Sequence, residues 1–310
     1  MRNSKRILML LENSTYPQDA RVRHEVKSLD DAGYQVTIIC KKKNGQAWRA
    51  KVGQVKVYRY PAPPKADGFI GYIVEYAYSL IAAFVLSLVV FIRDGFDIIH
   101  AHNPPDLFVL IAGFYKICDK KFVFDQHDLS PELYFARFQD EGNQIVYKAL
   151  LFFEKLSYLL ADHVIATNKS YKNIQIQRGG LPENRITIVR NGPDLQEMSF
   201  NPDQQAVKND CATILYVGEM GFHDGVDYLL RSVQHLLNDI GRTDFKCVLV
   251  GAGDAYDSLR LLAKKLSITE HVKFTGWIEL DQVTQYLSIA NICVAPEPSN
   301  SYNDHSTMIK

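Results

Sequence analysis

Residues 213–230, TILYVGEMGFHDGVDYLL, leave the backbone few options. Ile214, Leu215, Tyr216 and Val217 form an apolar run long enough for a buried strand and too short for a helix. Gly218, Gly221 and Gly225 follow, and then Val226, Leu229, Leu230 and Val233 recur at helical spacing. The stretch predicts strand, glycine-rich loop, helix. Such a loop brings bare backbone N–H groups close to a ligand, and the helix N-terminus favours an anion there. Two readings stand side by side: a phosphate-bearing ligand, or an ordinary βα turn that contains glycines. The spacing is not G-x-G-x-x-G, so the dinucleotide fingerprint is not present.

The same alternation runs through the rest of the chain. Strands are expected at 6–11, 36–40, 97–100, 122–125, 164–167 and 186–189, with a hairpin-like stretch around Val55, Val57 and Tyr58. A helix is expected from about Asp19, with Val22, Val26, Leu29 and Ala32 as its buried stripe and Gly33 just past its end. Pro105 suits the first turn of another helix, helical patterns fill 131–160, and Ser170 suits an N-cap for 171–178. Asn191-Gly192-Pro193-Asp194 is strong punctuation, and the polar segment after it has no clear period. Alternation then restarts, with strands at 214–217, 245–250, 272–275 and 292–295 and helices to about 238, over 256–266 and over 280–289. The fold class expected is α/β: two Rossmann-like, doubly wound parallel-sheet domains facing across a cleft, the second one incomplete. Their expected bounds are 1–194, a linker at 195–211, and 212–310.

At 310 residues the chain is long enough for two cores. Its formal net charge is zero, so nothing argues for a nucleic-acid partner. The five cysteines (Cys40, Cys118, Cys211, Cys247, Cys293) are odd in number and scattered, with no C-x-x-C pair. They read as reduced core thiols of a cytoplasmic protein rather than a disulfide frame or a zinc site. Residues 7–11 are too short for the apolar part of a signal peptide. The run from Tyr72 to Ile92 carries Glu75 as its one charge, and about 20 apolar residues can span a bilayer. A span would put strands of one sheet on opposite sides of the membrane. The favoured reading is therefore a helix half in the core and half facing the inner surface of the cytoplasmic membrane, ahead of a fully buried helix.

Ligands of open parallel sheets bind outside the carboxyl ends of the strands. His102, His127 and Asp128 all fall there, where a polar substrate would lie; a structural role for each histidine is the plainer alternative, and metal ligation is the weakest because no local ligand spacing supports it. Arg21 and Arg23 fall in the first turn of the first helix, where they could grip an acceptor phosphate or remain solvated surface charge. Lys41, Lys42 and Lys43 read as a solvated loop that could also meet anionic lipid.

These residues carry a pattern in order: LMLLENSTYPQDARVRHEVKSLDDAGYQVTIIC, DIIHAHNPPD, VFDQHDLSPEL and ITIVRNGPD, then LYVGEMGFHDGVDYLLRSV, VLVGAGD, VKFTGW and CVAPEPSNSYNDHSTMIK. Together they span nearly the whole chain, and the ordered set resembles retaining glycosyltransferases of family 4, with the GT-B fold, particularly bacterial enzymes that build polysaccharides or lipid-linked glycans. The resemblance implies transfer from a nucleotide-diphosphate sugar to a lipid-linked or saccharide acceptor, with retention at the anomeric carbon and commonly without a metal or other cofactor. It sets His102 beside the transferring sugar and Asn191 and Gly192 in an interdomain segment. Gly218 and Gly221 fall at the donor diphosphate, and Trp277 and Ile278 at the nucleobase. Ser306, Thr307 and Lys310 fall at the phosphates, and Tyr16, Asp19, Arg21 and Arg23 on the acceptor side. A shared fold also keeps a nucleotide-sugar epimerase open, and a non-catalytic nucleotide- or partner-binding module is the alternative from another class.

Two departures from the family pattern stand out. Glu219 and Asp224 occupy loop positions where many members carry Arg and Lys. Two unit charges about 4 Å apart interact by roughly 4 kcal/mol at an effective dielectric near 20, so carboxylates beside a diphosphate would oppose binding unless they turn away or a cation such as Arg190, His223 or Lys310 replaces the lost ones. The Glu-x7-Glu signature of the family would begin at about His305, and its second glutamate is expected past Lys310 together with the final strands. On that match the chain is expected to be truncated and to have little activity by itself.

Overall fold

The computed structural model describes residues 5–63, 68–138, 142–192 and 211–307. The chain divides into two compact units: Met1–Tyr134 with Gly142–Asn191, and Phe135–Glu141 with Gly192–Lys310. The division falls between Asn191 and Gly192, and the expected linker at 195–211 lies, apart from Cys211, outside the described residues.

The first unit is built on eight strands: β1 (Arg6–Leu10), β2 (Gln35–Lys42), β3 (Arg49–Val52), β4 (Val55–Pro61), β5 (Ile98–His102), β6 (Lys121–Gln126), β7 (His163–Ala166) and β8 (Ile186–Ile188). Their order across the sheet is β3-β4-β2-β1-β5-β6-β7-β8. Every pairing is parallel except β3 with β4, the hairpin at the edge. The helices are α1 (Ala20–Asp31), α2 (Gly68–Arg93), α3 (Phe108–Lys116), α4 (Ser130–Arg137), α5 (Gln144–Leu160) and α6 (Lys169–Gln177). Because side chains alternate along a strand, Ile7, Met9 and Leu11 pack with Val22 and Val26 of α1 on one face, while Leu8 and Leu10 are buried on the other. Burial on both faces is why β1 reads as an unbroken apolar run.

The ends of α1 are written locally. The Asp19 side chain accepts from the N–H groups of Arg21 and Val22, which fixes the start. Gly33, at φ +82°, ends the helix as expected: its N–H donates to the Asp30 carbonyl at 2.8 Å and the Tyr34 N–H to the Leu29 carbonyl at 2.9 Å.

Several boundaries differ from expectation. Ser170 lies inside α6, whose cap is Asn168, extended at φ −156°, with Oδ1 accepting from the Tyr171 N–H at 2.8 Å. Pro105 precedes α3 rather than opening it, and the pattern over 131–160 divides into α4 and α5. Strand β5 runs on to His102, which pairs with Asp125 across the parallel ladder. Lys41 is not a solvated loop residue, since its Nζ pairs with Glu12 at 3.1 Å and Glu75 at 3.4 Å. Of the cysteines, Cys40 and Cys247 are buried but Cys118 and Cys293 are exposed, so the thiols are not all core.

Helix α2 lies against β2, β4 and α3. Ser79, Ala83, Ser87 and Val90 are buried, while Ile73, Val74, Ile81, Val85, Val89 and Ile92 are exposed. Residues Ile73–Arg93 are long and apolar enough to cross a membrane by length and composition, yet only 22% of the most apolar window is buried. Among the described residues the helix is therefore only partly covered.

The second unit holds β9 (Ala212–Val217), α7 (Val226–Asn238), β10 (Phe245–Val250), α8 (Tyr256–Lys265), β11 (Val272–Gly276), α9 (Leu280–Ile289) and β12 (Ile292–Cys293). Its sheet is parallel throughout, in the order β11-β10-β9-β12. Ile214, Tyr216, Cys247 and Leu249 meet α7 and α8 on one face; Leu215, Val248 and Val250 meet Val283 and Leu287 of α9 on the other. Each unit is thus a Rossmann-like parallel α/β layer structure.

Candidate active site

At the carboxyl ends of β5 and β6 the first unit gathers three imidazoles around one carboxylate. The Asp125 Oδ2 lies 3.1 Å from His100 Nε2, 3.3 Å from His102 Nδ1 and 3.3 Å from His127 Nε2. The two ring nitrogens of His102 and His127 that face it are themselves 3.2 Å apart. His100 and His102 are two residues apart on one strand, so they share a face and their rings stack with centroids 4.4 Å apart. Glu25, one turn after Arg21 on α1, closes the group, with Oε2 3.7 Å from His102 Nε2 and 3.9 Å from His100 Nε2. One ligand atom from each of Glu25, His102, Asp125 and His127 can be chosen so that all lie within 4.8 Å of one another, a set able to hold a metal ion.

The electrostatics divide the group into charged and neutral members. Burial opposes ionisation of Asp125, but the positive field of His127 and hydrogen bonds from all three imidazoles hold its carboxyl well below the usual range. Burial, and then the Asp125 charge, push Glu25 up to about 8, so at neutral pH it carries its proton. Burial, and then the charge of His100, push His102 down to about 4, so it is neutral. For His100 and His127 burial also works against the charge, yet contact with Asp125 outweighs it and both are raised.

Asn103 locks this arrangement. Its Oδ1 accepts from the N–H groups of His127 at 2.6 Å and Asp128 at 3.1 Å, while its Nδ2 donates to Asp106 Oδ1 at 2.9 Å and to the Asp128 carbonyl at 2.7 Å. One side chain thereby fixes the loops after β5 and β6. Beneath it, Gln126, Glu154, Tyr158 and Gln175 form a buried hydrogen-bonded group whose charge is met by Arg178, 2.7 Å from Glu154.

The expected residues of this unit fall as follows. His102 and His127 are 3% and 7% exposed, so both imidazoles belong to the buried group rather than to open surface. Asp128 is half-buried, and Arg21 is within electrostatic reach of it and of Asp125. Arg21 also forms a paired bond with Asp19, at 3.2 and 3.1 Å. Asn191 reaches His127, with Nδ2 3.5 Å from Nδ1. Tyr16 is buried, its carbonyl accepting from Arg59, and Arg23 donates to the Pro17 carbonyl at 3.4 Å. Four members of the site were not foreseen: Glu25, His100, Asn103 and Asp125. The signal available was alternation, His100-x-His102 and Asp125-x-His127, which puts each pair on one strand face.

In the second unit the glycine-rich loop is folded on itself. The Gly218 N–H donates to the Val250 carbonyl at 3.0 Å and the Met220 N–H to the Ala252 carbonyl at 3.1 Å. The Gly221 N–H donates to Asp224 Oδ2 at 2.8 Å. The expectation of bare N–H groups at Gly218 and Gly221 is corrected accordingly: β10 and the Asp224 carboxylate occupy them. Asp224 has not turned away but is buried, with His223 Nε2 4.0 Å from its Oδ2, while Glu219 is exposed. Gly225, at φ +70°, lets the loop turn into α7, and a Cβ there would meet the Pro296 carbonyl oxygen at 2.2 Å. Asn303 ties the same region down by donating to the His223 carbonyl at 3.0 Å. The Ser306 hydroxyl donates to the Tyr302 carbonyl at 2.9 Å, Thr307 is exposed, and Lys310 lies outside the described residues. Trp277 is 72% exposed just past β11, and Ile278 packs on Leu215, Val248 and Val250.

Two Rossmann-like units fit many activities, and comparison with known proteins narrows the class. The family model "Glycosyltransferase Family 4" matches residues 19–197, and "Glycosyl transferases group 1" matches 197–301. The chain belongs to glycosyltransferase family 4 and has the GT-B fold. It is 27% identical over 212 residues to the uncharacterized glycosyltransferase MJ1607 of Methanocaldococcus jannaschii, covering 66% of this chain and 52% of that protein. It is similar in fold to sucrose-phosphate synthase from Thermosynechococcus elongatus, with TM-score 0.77 and 18% identity over 96% of this chain and 77% of that one. HepE of Anabaena in complex with UDP and glucose aligns with TM-score 0.65 and 16% identity, over 93% of this chain and 73% of that one. The chain spans about half the length of the curated relatives it matches.

Proposed function

We propose that the protein transfers a sugar from a nucleotide-diphosphate donor to a lipid-linked or saccharide acceptor, with retention at the anomeric carbon. The observation that carries this reading is the pair of glycosyltransferase models lying in tandem on the two parallel-sheet units. HepE, a fold neighbour, binds UDP and glucose, which supports a nucleotide-sugar donor. The second unit offers the donor side, along Gly218–Asp224, Trp277, Ile278 and Ser306, with α7 and the half-buried end of β11 at its edge. No metal is invoked at the diphosphate: helix N-termini and backbone N–H groups, preorganised where charge develops, take that part.

For those amides to serve, Asp224 must leave Gly221, so donor binding is coupled to opening of that one hydrogen bond. In the first unit, Arg21 and Asp128 stand at the outer side of the histidine group and take the acceptor side. His102, neutral and buried behind them, acts through position: with Asp125 it holds His127 and the Asn103-linked loops in register.

The acceptor side faces a membrane in this reading. The exposed apolar face of α2 continues onto α3, where Phe84 and Phe114 meet edge to face at 5.2 Å and Leu110, Phe114 and Ile117 are exposed. It reaches α5, whose exposed face carries Ile145, Phe152 and Leu159 together with Lys148 and Lys155. Apolar residues interleaved with lysines suit the surface of an anionic bilayer, which supports a place at the cytoplasmic face of the membrane.

A second reading, a nucleotide- or partner-binding module without turnover, is favoured by one observation, the Asp224 carboxylate seated on the Gly221 amide. Labelled nucleotide-sugar turnover across a donor panel, run beside calorimetry of nucleoside-diphosphate binding, separates the two. Transfer supports the enzyme, binding without transfer supports a nucleotide-binding module, and neither signal contradicts both of these and leaves partner binding.

A further inference from the structure

The three atoms Asp125 Oδ2, His102 Nδ1 and His127 Nε2 form a nearly equilateral triangle with edges of 3.3, 3.3 and 3.2 Å. Hydrogen bonding alone leaves such a triangle crowded. If both nitrogens carry protons directed at the carboxylate, the contact between the rings sets donor against donor. If only one does, the other nitrogen sets a lone pair against the carboxylate oxygen. With Asp125 ionised, each of these assignments sets two like-polarised atoms side by side, in a place where all three side chains are buried. Three further buried atoms of the same group have no hydrogen-bond partner: Asp125 Oδ1, His102 Nε2 and Glu25 Oε2. A fully buried polar group is rarely left so.

A cation held by all three atoms removes that crowding and gives each of them a bond. Tetrahedral zinc with bonds of about 2.05 Å has ligand–ligand edges of about 3.35 Å, the size of the triangle found here. We infer that His102 Nδ1, His127 Nε2 and Asp125 Oδ2 form one face of a divalent transition-metal site, with the Glu25 carboxylate on its remaining side. Two imidazoles and two carboxylates select a zinc-type ion over magnesium or calcium, which prefer all-oxygen shells. The surroundings fit such a site: His100 Nε2 meets the ligating Asp125 oxygen at 3.1 Å and orients it from outside the ligand set. The ligands come from α1, β5 and the end of β6, so the ion would pin the first helix to the strand tips. Its role is structural and independent of the diphosphate chemistry proposed for the second unit.

The test uses the purified full chain, stripped with a chelator and titrated with Co²⁺ and then Zn²⁺. We expect one equivalent of cobalt to produce the visible ligand-field bands of a tetrahedral N/O site, and zinc to displace them. Zinc is also expected to raise the melting temperature by roughly 5 °C or more. Asp125→Asn and His127→Gln should each weaken cobalt uptake at least a hundredfold; Glu25→Gln, at the edge of the group, serves where either variant fails to fold by circular dichroism. Absence of both the cobalt bands and the zinc shift in the folded chain overturns the inference. So does undiminished uptake by a folded Asp125→Asn or Glu25→Gln variant, which would put the metal elsewhere.

Discussion

His102 at the end of β5 stands directly across the parallel ladder from Asp125 on β6, its Nδ1 3.3 Å from the carboxylate Oδ2. This pairing converts two strand ends into a rigid charged platform. Around it Glu25 holds a proton, Asp125 does not, and Asn103 ties the following loops together.

Asn103→Ala should test how much of the platform rests on one side chain. The substitution leaves the buried His127 N–H without an acceptor and frees both loops. A loss of about 2–4 kcal/mol is expected in urea denaturation. A loss below about 0.5 kcal/mol would show that the loops hold themselves.

Asp106 gives a pH dependence with a definite sign. Burial, and then the charge of Glu154, push its carboxyl up to about 7 from an ordinary value of 3.8. Between those values the folded chain holds a proton that the unfolded chain releases. This contribution to stability is complete below about pH 4 and is lost as pH rises through about 7. Asp106→Asn keeps the shape without the titration, so its stability relative to wild type should grow by about 2–4 kcal/mol between those pH values. Thermal denaturation from pH 4 to 8 reads this directly, and parallel curves would contradict it.

Asp224 is expected to restrain donor binding. Asp224→Asn removes its charge while keeping an acceptor for the Gly221 N–H, and Asp224→Ala removes both. Each should tighten UDP, ADP or GDP binding in calorimetry by at least about tenfold, given the size of a charge–charge term at contact distance. A larger gain for alanine identifies the amide as the limiting group. Unchanged or weaker affinity in both would show that the loop does not meet a diphosphate.

The apolar face of α2 predicts binding to vesicles that contain an anionic phospholipid. Paired Ile81→Glu and Val85→Glu substitutions, both at exposed positions, should reduce co-sedimentation at least tenfold with the fold intact. Equal binding by the variant would remove the membrane from the account.

Much of the fold was legible because its signals are local. The strand at 245–250 and the helix at 280–289 appear in the structure as β10 and α9 with those bounds, since each is an apolar run or stripe between clear breaks. Asp19 and Gly33 announced the two ends of α1. The candidate site was only half legible. His102 and His127 stood out at strand ends, but Asp125 lies within a strand and is brought to His102 by the sheet register, while Glu25 reaches the group from α1. The Gly218–Asp224 loop misled for a related reason. Its glycines mark a tight backbone path, but which acceptors occupy the amides depends on Val250 and on the orientation of Asp224.

The central claim is that this family 4 chain moves sugar from a nucleotide diphosphate. The most direct measurement follows purified protein with anomerically labelled nucleotide sugars and membrane-extracted acceptors by nuclear magnetic resonance. The account predicts loss of the donor signal, release of nucleoside diphosphate, and a new glycoside with the donor's anomeric configuration. Release of free sugar or nucleotide without a glycoside, or a product of inverted configuration, would contradict it.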